Sequence, residues 1–377
     1  MKAIRAAIIG TGGIAHAHSK ALQNQSARAE IVAAVDVDQA RVTEFCSRYD
    51  IPQPHTDVAA MLAAVQPDLV HICTPPGTHK QLSVQCLDGG AWVLCEKPLC
   101  GSLAELDEIA AAEDRSGKYC SSVFQWRFGS GGQHLKRLTA EQAMGKPLVG
   151  ICQTTWYRAH SYYEVPWRGK WETELGGPTM GHGIHAMDFF LWLLGDWREV
   201  RAMMATLDRH IEVEDVSMAI VRFENGALGS IVNSVLSPRQ ESYLRFDFQK
   251  ATAEVTGLYG YSNNDWRYTS ADIPPSDNPL EYGTADLTVS PEMLAQWQTI
   301  PTDMATSHES QIAALLDSME RNERPLVSGA EARRTIEFIT CLYKAAVTGQ
   351  SVQRGSIKPD DPFYQRIYGT APQQMKQ

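Results

Sequence analysis

Residues 3–15, AIRAAIIGTGGIA, run from a short β-type segment ending at Ile9 through Gly10, Thr11, Gly12, Gly13, Ile14 and Ala15, and then into a helix-compatible stretch reaching about Leu22. In this GxGxxA pattern, each small residue has a physical job. Gly10 permits the tight strand-to-helix turn, Gly12 lets a pyrophosphate approach the backbone, and Ala15 lets the helix pack on the strand. Free amides at the helix start would face the phosphates. A glycine turn alone is only a turn, so the next strand decides. That β-type run, residues 31–35, ends at Asp36, where a dinucleotide fold places an acid to accept hydrogen bonds from the adenosine ribose. Asp36 is followed by Val37 and Asp38, not by an arginine that would neutralise a 2′-phosphate, so NAD is expected rather than NADP. Asp38 is available to cap the helix that starts at Gln39.

Outward from there the alternation continues: helix 57–65, strand 69–73, helix 78–87, strand 92–95, helix 103–115 and strand 119–124. Alternating strands and helices predict an α/β Rossmann domain, a doubly wound parallel sheet, over residues 1–125. Ligands of such sheets bind beyond the strand C-terminal ends. Those ends carry Thr74, Pro75 and Pro76 with His79 just after, then Glu96 and Lys97, then Gln125 and Arg127, all candidate cofactor contacts. Lys97 stands between an acid and a proline at the end of a buried strand, so its charge has to be used or compensated locally, and Glu96 is the obvious partner.

After Arg127 the pattern changes to β-rich segments at 148–157, 198–207, 216–223, 227–236, 243–248 and 251–258, with Glu224-Asn225-Gly226 as a hairpin signal. We expect an α+β domain with a large, mostly antiparallel open sheet over residues 126–350, helices at 307–321 and 330–347, and a polar tail over 351–377. Residues 262–301 show little periodicity. The loop from Trp156 to Trp171 is aromatic and basic: Trp156, Tyr157, Tyr162, Tyr163, Trp167 and Trp171, with Arg158, Arg168 and Lys170 among them, offer flat faces with polar edges, which suit a sugar or cyclitol. Next, His182, His185 and Asp188 stand three residues apart ahead of an apolar run, which on a single helix spreads them over roughly 120° of one face.

Composition bounds the function. The 377 residues carry a formal charge of −10, with 44% hydrophobic and 21% charged residues, so a soluble two-domain chain with a small-molecule partner is expected, and neither nucleic acid nor an anionic membrane. Apolar runs are far below the roughly 20 residues of a bilayer span. The start reads as a strand and not a signal peptide, and the eight cysteines include no CxxC pair; both point to a reducing, cytoplasmic location.

GTGGIA, Thr74-Pro75-Pro76-Gly-Thr-His79, Cys95-Glu96-Lys97-Pro98-Leu99, Gly176-Gly177 with Gly183-x-His185-x-x-Asp188, and Pro325-Leu-Val-x-Gly329 occur in order over residues 3–350. Together they resemble the glucose-fructose oxidoreductase, inositol dehydrogenase and rhizopine catabolism family, Gfo/Idh/MocA. The resemblance implies nicotinamide-dependent redox chemistry on sugars, cyclitols or related polyols, with homodimers or homotetramers built through the C-terminal sheet. It also implies that Lys97 lies beside the nicotinamide and the reacting hydroxyl, with His185 as acid/base. Such roles suit the chemistry: histidine titrates near working pH, and an ammonium stabilises a developing alkoxide. One departure concerns position 181, where many members carry an aspartate and this chain has glycine; we expect His182, a substrate hydroxyl or water to supply the missing contacts. Three other readings compete: retained NAD serving glycoside cleavage or transhydrogenation, a noncatalytic NAD-dependent sugar sensor, and a metal hydrolase using His182, His185 and Asp188. The last leaves the Rossmann half unexplained, and no metal is expected.

Overall fold

The computed structural model describes residues 3–271 and 289–374. Its first half is β1 (Ile4–Ile9), α1 (Ala15–Gln23), β2 (Ala29–Val35), α2 (Gln39–Tyr49), β3 (Gln53–His55), α3 (Val58–Val65), β4 (Leu69–Ile72), α4 (His79–Asp88), β5 (Trp92–Cys95), α5 (Leu103–Ser116) and β6 (Cys120–Ser122). All neighbouring pairs are parallel, in the order β3-β2-β1-β4-β5-β6. The chain leaves β1 toward β2 on one side and returns at β4 on the other. That reversal opens a crevice at the carboxyl ends of β1 and β4, where the informative loops lie. The strands β4 and β5 are buried at every residue, as expected of a sheet covered on both faces.

The second half continues with α6 (Ser130–Ala140), β7 (Pro147–Tyr157), α7 (Pro178–Gly181), α8 (Ile184–Leu194), β8 (Trp197–Ala205), β9 (Val216–Phe223), β10 (Leu228–Ser234), β11 (Leu236–Phe248), β12 (Ala251–Thr256), β13 (Trp266–Ser270), α9 (Pro291–Gln298), α10 (His308–Arg321), α11 (Ala330–Thr348), β14 (Val352–Gln353), α12 (Pro362–Gln365) and α13 (Ala371–Gln374). The strands form one sheet, β13-β12-β11-β7-β10-β9-β8-β14, antiparallel except for β7 with β10. Strand β9 alternates: Ser217, Ala219, Val221 and Phe223 point inward, while Met218 and Ile220 are exposed. Helix α8 is buried at all 11 residues and sits between this sheet, α6 and α11.

Several expectations need correction. Residues 351–374 of the expected polar tail 351–377 are not free, because β14 pairs with β8 and Phe363, Ile367 and Ala371 are buried. The weakly periodic stretch 262–301 contains β13 and α9, and its residues 272–288 lie outside the described residues. Helix α10 belongs spatially to the first half: it packs on α1, and Arg28 pairs with its Asp317 and Glu320. Its Gln311 also donates to Ser122 O at 2.7 Å and accepts from Phe124 N at 3.0 Å, so a late helix covers the exposed edge beside β6. All eight cysteines are free and buried. No helix among the described residues is long and apolar enough to cross a membrane.

Candidate functional site

One continuous cavity of about 1170 Å³ runs along the strand ends, from Gly12, Gly13 and Asp36 through Thr74, Pro75 and Pro76 to Glu96, Lys97, Gln125, His182 and His185. It exceeds the roughly 300–1,000 Å³ of a single-ligand pocket, leaving room for a dinucleotide and a second molecule. At the β1–α1 turn Gly10 has φ +85°, and an added Cβ would stand 2.8 Å from Thr74 Cγ2 and 2.9 Å from the Cys73 carbonyl. A side chain there would push β1 off β4, so the close crossing requires glycine. Gly12 and Gly13 instead face open space, and no side chain caps the start of α1, which leaves its amides for an anion.

Asp36 accepts from Thr11 N at 2.9 Å, Thr11 Oγ1 at 2.8 Å and Asp38 N at 3.1 Å. Burial pushes its carboxyl up, but these bonds and the Arg41 charge outweigh that and hold it below its ordinary value. Asp38 takes the capping role, accepting from Ala40 N and Arg41 N. Arg41, which adjacency in sequence did not single out, returns one turn into α2 to stand 3.5 Å from Asp36 and 3.3 Å from Asp38. Its charge is thus matched by two carboxylates.

At the other end of the cavity Glu96 does not pair with the Lys97 ammonium. Its Oε1 accepts from His18 Nε2 at 3.0 Å and His308 Nε2 at 3.3 Å, and its Oε2 from the backbone N of Lys97 at 3.2 Å. These three side chains are the one group among the described residues whose donor atoms lie close enough to hold a metal ion, and the hydrogen bonds account for them without one. Desolvation raises the Glu96 carboxyl, but its two histidine partners dominate and hold it well below the carboxylate range. Lys97 Nζ donates instead to Gly181 O at 2.8 Å, and burial lowers its pKa, opposed by Glu96 and Glu174.

His185 stacks on Trp126 with centroids 5.3 Å apart and meets Phe124 and Tyr259 edge-on. Its buried Nδ1 has no hydrogen-bond partner. Burial first, then the Lys97 charge, holds the imidazole well below its ordinary pKa, so it is neutral at neutral pH. His182 accepts from Arg158 Nε at 3.2 Å and lies edge-on to Trp156. Arg158 lies over the Trp156 and Tyr162 rings, and Arg168 over Tyr162 and Trp167.

The single helical face expected for His182, His185 and Asp188 does not form. Helix α7 ends at Gly181 and α8 begins at Ile184, with the non-helical backbone at His182 (φ −124°, ψ −53°) between them; Gly183 is helical, and it must be glycine because a Cβ there would stand 1.9 Å from Asn233 Oδ1. His182 sits in the break, while Asp188 turns into the core and binds Arg127. That pairing also corrects Arg127, which is fully buried: Nε and Nη2 donate to Asp188 at 2.7 and 2.6 Å, and Nη1 to Glu331 at 2.6 Å. It does not line the cavity. Neither does His79, whose ring spans Pro98 O (2.6 Å) and Thr74 O (2.8 Å) and so ties two cavity loops together. Thr11 and Ala15 support the cradle from beneath; Tyr157, beneath Arg209, and Tyr163 lie off the lining. Trp156, Arg158, Tyr162, Trp167 and Arg168 face the cavity, as do Glu174, Tyr259 and His308, which the sequence did not single out. Glu174 fills the neighbourhood of the missing aspartate, since a Cβ at Gly181 would lie 3.6 Å from its Oε1.

Residues 4–124 match the family described as "Oxidoreductase family, NAD-binding Rossmann fold", and residues 133–260 match the GFO/IDH/MocA C-terminal domain. D-apiose dehydrogenase of Paraburkholderia graminis is 26% identical over 375 residues, covering 96% of this chain and 92% of that protein. D-glucoside 3-dehydrogenase of Escherichia coli is 27% identical over 288 residues, covering 70% and 80%. Among solved structures, the WlbA dehydrogenase of Chromobacterium violaceum, in complex with NADH and UDP-GlcNAcA, superposes with a TM-score of 0.81 at 27% identity, covering 95% of this chain and 98% of that one. With both domains matched in order, the chain belongs to the Gfo/Idh/MocA family of oxidoreductases, its first half an NAD-binding Rossmann domain.

Proposed function

We propose that this protein is an NAD-dependent dehydrogenase that moves hydride between a secondary hydroxyl of a sugar, cyclitol or related polyol and the nicotinamide. The observation that carries this reading is that the glycine cradle, Asp36, Lys97 and His185 line one cavity. The residues present fit the dinucleotide: open glycine backbone and uncapped amides for the pyrophosphate, and an ionised Asp36 for the adenosine ribose. NAD, when bound, would take up the hydride. This chain's residues do the rest. Lys97, with one N–H on Gly181 O, keeps two for the reacting hydroxyl and stabilises the oxygen as negative charge develops. His185, held neutral, accepts the hydroxyl proton. Trp156, Trp167, Tyr162 and Tyr259 supply flat faces for C–H groups and exclude water. The names of the relatives, dehydrogenases of apiose and a glucoside, support a sugar substrate.

Three further points belong to the same proposal. The boundary between the two functional halves falls near residue 125, with α10 returned to the first half. Copies of the chain associate through the outer face of the eight-stranded sheet, where Met203, Met218 and Ile220 are 79%, 55% and 64% exposed. The free buried cysteines suit a reducing, cytoplasmic compartment. The test is NADH formation across aldoses, cyclitols and glycosides, with NAD and NADP. Turnover with NAD that Lys97→Met abolishes is expected; intact NAD binding with no oxidation of any member would overturn the reading.

A further inference from the structure

Glu174 is an acid in the cavity wall whose bonding capacity is not used up. It is only 5% exposed, and its Oε2 accepts from Gly169 N at 2.5 Å. Its Oε1 makes only a long ion pair, 3.6 Å to Arg168 Nη1. The other cavity carboxylates are committed, Asp36 to Thr11 and Glu96 to His18 and His308. Oε1 faces Gly181, which contributes no side chain, and the carbonyl of that same residue anchors Lys97 Nζ. An acceptor with open lone pairs therefore stands beside the ammonium that we assign to the reacting hydroxyl, in the wall that also holds His182.

We propose that Glu174 is the substrate-recognising carboxylate of this site: its Oε1 accepts a hydrogen bond from a hydroxyl next to the one that Lys97 holds, so the site selects vicinal diols. This rests on the dehydrogenase reading above. The charge balance supports it. Burial and the Glu214 charge push the carboxyl up, while the Gly169 N–H, Arg168 and Lys97 pull it down, leaving it at about 7. A hydroxyl donor supplies the hydrogen bond that this anion lacks.

The experiment uses the sugar that the wild-type protein oxidises best and its deoxy analogues at the flanking carbons. It compares the wild type with Glu174→Gln, Gly181→Asp, the double variant and Lys97→Met, with Tm and NAD binding measured for each. Glu174→Gln keeps an acceptor for Gly169 N but loses the anion, and kcat/KM should fall about 10- to 100-fold, mostly through KM. One deoxy analogue should be handled equally by the wild type and Glu174→Gln. Nothing lies closer than 3.6 Å to a Cβ at position 181, so Gly181→Asp is accommodated, and in the double variant it should restore at least about tenfold of the loss. A role confined to holding the 168–174 turn would lower Tm and would not be rescued. Unchanged kcat/KM in Glu174→Gln, or no rescue, overturns the inference while Lys97→Met still loses activity. Full activity in Lys97→Met, or no sugar oxidised by the wild type, overturns the dehydrogenase mechanism itself.

Discussion

Asp188 and His185 stand less than one turn and about 60° apart on helix α8, yet their side chains are in opposite states. On the closed side, Asp188 is saturated by Arg127 Nε and Nη2 and by Thr335 Oγ1 at 2.7 Å. On the open side, His185 lines the cavity beside Lys97, and its buried Nδ1 has no partner. A buried polar group left unpaired costs stability, roughly 1–3 kcal/mol. The closed side therefore fixes the helix, and the open side is the one that the dehydrogenase proposal uses. Buried charge by itself did not separate them: Lys97 and Arg127 both follow Rossmann strand ends, yet only Lys97 reaches the cavity.

That contrast can be broken in graded ways. The largest expected effect is on the open side: Lys97→Met should lower kcat by about 10²–10³ with Tm nearly unchanged, read from steady-state NADH formation and thermal melting. Arg127→Met on the closed side should behave oppositely, leaving Asp188 buried without its cation and costing about 3–5 kcal/mol in denaturant unfolding, with kcat of the folded fraction retained. A third test sharpens the open side by pH. His185 is held well below the usual imidazole range, so it does not titrate near neutrality, whereas the Glu174 carboxyl lies at about 7 and is ionised above that. The ratio kcat/KM should rise with pH through about 7 in the wild type and lose that limb in Glu174→Gln. Smallest of all, Thr335→Val removes one neutral donor to Asp188 and should cost about 1 kcal/mol of stability, with no change in kcat.

Much of the Rossmann half was legible because its informative residues are consecutive at strand ends, and a parallel sheet gathers those ends on one edge. GTGGIA, Asp36 and Glu96-Lys97 needed no tertiary information. Arg127 was misread because a strand end does not say which way the chain then turns: the 3-10 turn Gln125–Phe128 sends Gln125 to the cavity and Arg127 to the core. Spacing likewise placed His182 and Asp188 on one helical face, whereas the chain leaves helical geometry at His182, between α7 and α8. Glu174 and His308 were not legible at all. His308 arrives from the start of α10, distant in sequence, and Glu174, only seven residues before Gly181, lies in a turn that carries no local pattern. A chemical hint was available in Gly181: a glycine where the family resemblance leads one to expect an acid invites a search for a carboxylate from elsewhere.

The dehydrogenase proposal turns most directly on His185 taking the proton of the reacting hydroxyl. The direct measurement is single-turnover stopped-flow of NADH formation by His185→Gln, preloaded with NAD and mixed with the best sugar. The account predicts a rate at least about a hundredfold below wild type at unchanged Tm and NAD affinity. An equal rate would contradict it.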